Sequence, residues 1–280
     1  MKELMSNPNL VAKPGIDLHL NYGNPHAIER CVRFTQRDMN RCFSAGDLAS
    51  PAGDCYEQSR AQEVYHALGG KKGVMDLIVD FHATVANMGM TFIVSRTNPF
   101  ICRMVAWLYE KHQHEGAHIL YTAEDQETSP FLDSLGKCGL TIEVSPVGKG
   151  VLPAQEQYDQ LRAVASEIMT FVNCWNDGIY KPEQVVEVPV YRLVQTIKYE
   201  TDSTGTIRVS DVHPDILGKD FQPMKAGDPM MVDLRTGAVT AYEGDRVVWP
   251  VFICETASTY RDPRFGNQAM DLTWLNNEKW

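Results

Sequence analysis

The stretch VMDLIVDFH, Val74 to His82, decides how this chain is read. Val74 to Phe81 is a mostly apolar run, the pattern of a strand buried on both faces within a parallel sheet. It closes on Asp80-Phe81-His82, which brings a carboxylate and an imidazole to the strand's C-terminal end. In open α/β sheets, ligands bind beyond the carboxyl ends of the strands. A histidine placed there can offer neutral imidazole to zinc, or it can hydrogen-bond locally where the strand stops.

Working outward, strand and helix patterns alternate. Ile16 to Tyr22 reads as a short strand stopped by Gly23-Asn24-Pro25. Tyr56 to Leu68 carries apolar and small residues at helical spacing, Thr91 to Val94 reads as a strand, and Pro99 to His112 as a helix opened by a proline. Ile119 to Thr122 and Thr141 to Val144 are further strands. Ala154 to Trp175 is a long amphipathic helix with Leu161, Val164, Ile168, Phe171 and Val172 on one face. This order predicts an α/β domain over residues 1–180, with parallel neighbours in a central sheet and helices on both of its faces. From about Lys181 short β-rich runs alternate with turn signals such as Ala226-Gly227-Asp228-Pro229 and Thr236-Gly237, which predicts a smaller, mainly β domain over 181–280.

The net charge of −10 excludes a basic footprint for nucleic acid and gives no attraction to anionic lipid. Seven cysteines, an odd number at wide spacings without a C-x-x-C pair, argue against a disulfide framework and a cysteine zinc site. The polar N-terminus has no apolar leader, and no run reaches the roughly 18–20 apolar residues of a membrane span, so a cytoplasmic protein is expected. Nothing in the sequence speaks for or against a homo-oligomer.

Two more groups can carry chemistry. Arg33-Phe34-Thr35-Gln36-Arg37-Asp38-Met39-Asn40-Arg41 packs three guanidiniums and an amide into nine positions of an acidic chain. Arginine forks match carboxylates, so the segment can hold an anionic substrate; it can equally be a solvated loop paired through Asp38. Glu143 stands inside the apolar strand Thr141 to Val144, where a carboxylate is costly unless paired or put to use. Facing a cleft, it can act as a general base; paired with an arginine, it is structural. No serine-hydrolase elbow, P-loop, G-x-G-x-x-G or H-E-x-x-H occurs.

Taken in order, Asn24-Pro25, RFTQRDMNRCF (33–43), Tyr56-Glu57 with Arg60-Ala61-Gln62-Glu63, DFHATVANMG (80–89), IEVSPVGKGVL (142–152), His213-Pro214, Asp220-Phe221-Gln222-Pro223, Gly227-Asp228-Pro229-Met230 and Pro250-Val251-Phe252 before Glu255 resemble the aspartoacylase family. The resemblance implies a zinc-carboxypeptidase-like mixed sheet with flanking helices, a smaller β domain, and hydrolysis of small N-acyl amino acids. It implies one Zn²⁺ held by two histidines and a glutamate, which activates a water and stabilises the oxyanion. His82 matches the second histidine ligand, Glu143 the general base, and Arg33 the cation that polarises the scissile carbonyl. Asn40 and Arg41 match the pair that binds the substrate's α-carboxylate.

The departures carry expectations of their own. The family's first histidine and its glutamate ligand come from a His-Gly-Asn-Glu stretch, and no H-G-x-E occurs here. The chain begins within what reads as the following helix, so a downstream start or a shortened chain is expected, with little zinc and little turnover in the chain as given. The alternatives are an inactive homologue that binds a carboxylate ligand or a partner, and a related desuccinylase. Asp133, in Phe131-Leu132-Asp133-Ser134, stands where N-acetylaspartate-specific members carry an arginine, which lowers the expectation of strict aspartate specificity. Ala83 replaces the asparagine that usually follows the zinc histidine. Tyr260 is carried as the candidate pocket tyrosine, because the aligned position is Ser258.

Overall fold

The structure is a computed structural model that describes residues 6–7, 12–50, 55–70, 74–145, 155–181, 187–197, 199–205, 207–254 and 272–279. Its strands are β1 (Leu77–Ala83), β2 (Met90–Val94), β3 (Ala117–Tyr121), β4 (Cys138–Val144), β5 (Pro189–Ile197), β6 (Ser210–Val212), β7 (Pro229–Asp233), β8 (Val239–Ala241), β9 (Trp249–Val251) and β10 (Leu272–Lys279). Two short helices, α1 (Pro25–Glu29) and α2 (Ala45–Ala49), precede α3 (Tyr56–Ala67), α4 (Pro99–His112) and α5 (Gln155–Asn176). Asn24 caps α1, Ser44 caps α2 and Asn98 caps α4, each accepting a backbone N–H of the first turn.

Seven strands form one sheet in the order β1-β4-β2-β3-β5-β10-β9, and β6-β7-β8 form a second, smaller sheet. The first sheet is mixed. β1 runs parallel to β4, β2 to β3 and β3 to β5, while β4 is antiparallel to β2 and β10 is antiparallel to both β5 and β9. The mixed sheet implied by the resemblance is present; alternation of strands and helices by itself predicts parallel neighbours, and β4, which enters between β1 and β2, departs from that by running antiparallel to β2. Element order leaves that choice open. The chain beyond residue 181 supplies β5, β9 and β10 to the main sheet as well as the small sheet.

One face of the main sheet is covered by α4 and α5. Ile101, Met104, Val105 and Leu108 of α4, and Val164, Ile168 and Phe171 of α5, bury against Phe92, Ile119, Leu140 and Ile142. At roughly 1.5–3 kcal/mol per fully buried large side chain, this face dominates the stabilisation. The opposite face carries the candidate residues. There Ile78 packs with Met39, Phe43, Val64 and Leu135 beneath the arginine loop, while Met88 and Leu120 pack with Phe221 and Val251.

Ile16 to Tyr22 is not a strand. Its exposure still alternates residue by residue, as for one face of a strand, but among the described residues no neighbour supplies a hydrogen-bonding ladder, and β1 stands at the sheet edge. Alternation shows which side faces inward; pairing needs a partner. No helix among the described residues is long and apolar enough to cross a membrane.

Candidate functional site

The site forms where β1 and β4 end side by side. In a strand, residues two apart share a face. Asp80 and His82 therefore both point to the arginine-loop side, and His82 Nε2 lies 2.7 Å from Asp80 Oδ2. The parallel register pairs His82 with Glu143 and Asp80 with Thr141, so His82 and Glu143 stand next to each other on that same face. Burial alone would lower the His82 pKa, but the charge and hydrogen bond of Asp80, joined by the charge of Glu143, push it up to about 9.

The arginine loop closes over these residues. Asn40 Nδ2 donates to Asp80 Oδ2 at 3.2 Å and lies 3.2 Å from His82 Nε2, while its Oδ1 accepts from the Leu132 N–H at 2.7 Å. Arg33 donates through Nε and Nη2 to Asp38 Oδ2 at 3.2 and 3.1 Å, and it sits near enough for its charge to oppose protonation of His82. Arg37 turns away, bound to Asp47 and to the Arg41 carbonyl. Arg41 donates to the Asn40 carbonyl at 2.7 Å and lays its guanidinium 4.6 Å over the Phe131 ring.

The structure thus brings Arg33, Asn40, His82 and Glu143 together, with Arg41 adjacent on the same loop. Asp133 is close enough for its charge to couple to Asp80 and His82, yet it is only 4% exposed. Its Oδ2 accepts from Ser95 Oγ at 2.9 Å, and burial raises its pKa. Its neighbour on β4 has to be glycine, because a Cβ at Gly139 would lie 2.7 Å from the Asp133 Cβ. Tyr260 and the 146–152 part of the IEVSPVGKGVL motif lie outside the described residues.

Two acidic residues were not singled out from the sequence. In the sequence Asp80 is only one letter of a motif, yet it is the partner of both His82 and Asn40. Glu57 stands in the sequence as half of a Tyr-Glu pair, yet it is wholly buried and accepts from Thr35 N, Thr35 Oγ1, Gln36 N, Arg37 N and Asn24 Nδ2. The local signal was present, a glutamate in the first turn of a helix, but its partners are 20 or more positions away.

The zinc expectation can be tested against these donors. His82 is one imidazole, and its Nε2 is already held by Asp80 and Asn40. Among the described residues no group of three or more His, Cys, Asp or Glu side chains could hold a metal ion. A catalytic zinc takes three protein ligands plus an open position, so the described residues do not fit one. A cleft of about 440 Å³, lined by Val194, Ile197, Met230, Tyr242 and Val248 among others, lies on the C-terminal strands and contains none of the site residues.

Comparison with known proteins places the chain in a family. Residues 1–172 match the succinylglutamate desuccinylase/aspartoacylase catalytic domain, and residues 186–261 match the barrel-sandwich hybrid domain of the same group. The chain is 32% identical to a probable aspartoacylase of Nostoc sp., over 92% of this chain and 85% of that protein. It is also 32% identical to the N-acyl-aromatic-L-amino acid amidohydrolase (carboxylate-forming) of Rattus norvegicus, over 90% of this chain and 79% of that one. The crystal structure of murine aminoacylase 3 superposes with a TM-score of 0.82 at 25% identity, covering 99% of this chain and 90% of that chain. A succinylglutamate desuccinylase from Vibrio cholerae, 14% identical with a TM-score of 0.54, shares the fold. On both its sequence and its fold, this chain belongs to the succinylglutamate desuccinylase/aspartoacylase family.

Proposed function

We propose that this chain acts on N-acyl amino acids, hydrolysing the amide bond to release a carboxylate and the free amino acid. The observation that carries the reading is the pairing of His82 with Glu143 at the carboxyl ends of β1 and β4, beneath a loop that supplies Arg33, Asn40 and Arg41. The amidohydrolase and aspartoacylase relatives support the substrate class.

Each residue takes a role that its position allows. Arg41 and Asn40 grip the α-carboxylate, a charge-assisted contact that fixes the substrate along the loop. Arg33, held in orientation by Asp38, faces the acyl carbonyl and stabilises the negative charge that grows there. Glu143 takes a proton from the attacking water and returns it to the leaving nitrogen. The imidazole of His82, braced by Asp80, borders the same space. Because the donors among the described residues do not fit zinc, no step here passes through it.

Acidic side chains around the arginine segment disfavour an anionic substrate side chain. The charge of Glu124 couples to Arg41, and that of the buried Asp133 couples to Asp80 and His82. Phe131 adds an aromatic surface. An N-acyl aromatic amino acid therefore fits better than N-acetylaspartate. The donor set favours a second reading as well, a homologue that binds the N-acyl amino acid without turning it over.

Calorimetry with N-acetyltyrosine and N-acetylaspartate, beside a product assay run with and without added Zn²⁺, separates the two readings. Tighter binding and faster release of tyrosine support hydrolysis. Binding without product supports the second reading. Binding of neither ligand overturns both.

A further inference from the structure

We propose that Glu57 is a positioning residue for substrate recognition, an internal anion on which the arginine loop is built. The inference rests on the proposed grip of the loop on an N-acyl amino acid. Glu57 lies in the first turn of α3 and is wholly buried. A carboxylate in that position is expensive unless its oxygens are satisfied. Here three successive backbone N–H groups, those of Thr35, Gln36 and Arg37, converge on it at 2.5, 3.2 and 3.3 Å. The Thr35 hydroxyl donates at 2.7 Å and Asn24 Nδ2 at 3.1 Å.

Successive N–H groups closing on one anion form a nest, the device by which backbone binds phosphates and carboxylates. In this chain the nest is filled from within. Those hydrogen bonds hold the Glu57 pKa below the usual carboxylate range, although burial pulls the other way.

The segment anchored this way is the middle of the substrate loop. Arg33 lies on one side of it, and Asn40 and Arg41 lie on the other. The link is direct, because Asp38, next after Arg37, accepts from both the Arg33 side chain and the Asn40 N–H. The only regular structure in the loop is the 3-10 turn Met39–Arg41. A second tie runs through Gln36, whose Oε1 accepts the Tyr56 N–H at 2.8 Å. Tyr56 in turn stacks on His26 of α1 at 3.8 Å. Glu57 thus sets where the guanidiniums and the Asn40 amide stand relative to His82 and Glu143, and touches no substrate itself.

Two variants test this. Glu57→Gln keeps the shape but sets an NH₂ donor against N–H donors. It is expected to weaken N-acetyltyrosine binding by roughly 10- to 100-fold, with its circular dichroism spectrum kept. Glu57→Ala leaves an empty nest of carboxylate size. Millimolar formate, but not chloride at equal ionic strength, is expected to restore both ligand affinity and the hydrogen-exchange protection of the Thr35, Gln36 and Arg37 amides. Unchanged affinity in folded Glu57→Gln overturns the proposal, and so does protection of these amides in Glu57→Ala that formate fails to raise. If the wild type binds no N-acyl amino acid, the functional reading fails on its own, and formate-dependent protection in Glu57→Ala still decides the role of Glu57.

Discussion

His82 of β1 and Glu143 of β4 are direct partners in a parallel register, side by side on the sheet face that the arginine loop covers. They come from segments 61 positions apart and meet because both strands end at the same level. A shift of one residue in either strand would turn one of the two side chains into the α4–α5 core. The proposed chemistry depends on this register more than on any single contact.

Replacing Glu143 with Gln removes the proton acceptor and keeps the volume. The expected result is a drop in kcat of roughly 10²- to 10⁴-fold, with N-acetyltyrosine affinity close to wild type. Steady-state kinetics beside calorimetry checks it, and an unchanged kcat would remove Glu143 from the proposed step.

For Arg41→Ala the loss is expected in binding. A charge-assisted contact is worth roughly 1.5–3 kcal/mol, and it should appear in KM when the carboxylate is held equally in the ground and transition states. Arg41→Lys should behave similarly, because an ammonium does not reproduce the flat guanidinium over Phe131. A lost kcat at constant KM would contradict the assignment.

Metal content gives a prediction independent of turnover. With His82 engaged by Asp80 and Asn40, the purified chain is expected to hold well under one equivalent of zinc by elemental analysis. A full equivalent, lost in His82→Ala, would mean that donors outside the described residues complete a site around this imidazole.

His118 makes acid stability testable. Its ring stacks on Phe221 at 3.8 Å with planes 2° apart, and burial pushes its pKa down to about 4. The folded protein therefore resists a proton that the unfolded chain accepts near pH 6.5. Stability from this group is complete above about pH 6.5, declines as the pH falls, and is gone below about pH 4, a loss of at most about 3 kcal/mol. Melting temperature followed from pH 7 to 4 should fall less steeply in His118→Phe than in the wild type. Parallel slopes would show that His118 is not the group responsible.

Much of the fold was legible because it is local. The apolar run before His82 became β1, and the amphipathic pattern after Ala154 became α5. Pro99 to His112 became α4 with the same ends, since Asn98 and Pro99 are start signals carried by neighbouring residues. The candidate residues were legible as types in an order: a histidine at a strand end, a glutamate in an apolar strand, an arginine-rich segment.

What the sequence by itself determined was therefore the long helices, the strands of the central sheet up to Val144, and the family. Only the tertiary structure decided that β4 runs antiparallel to β2, that Ile16 to Tyr22 stays unpaired, that Asp133 lies walled in against Ser95, and that Asp80 and Glu57 hold the site together. The physical reason is common to all four. Periodicity and capping act between residues a few positions apart. Strand partners, and the donors that let a buried carboxylate keep its charge, come from distant segments that become neighbours when the chain packs.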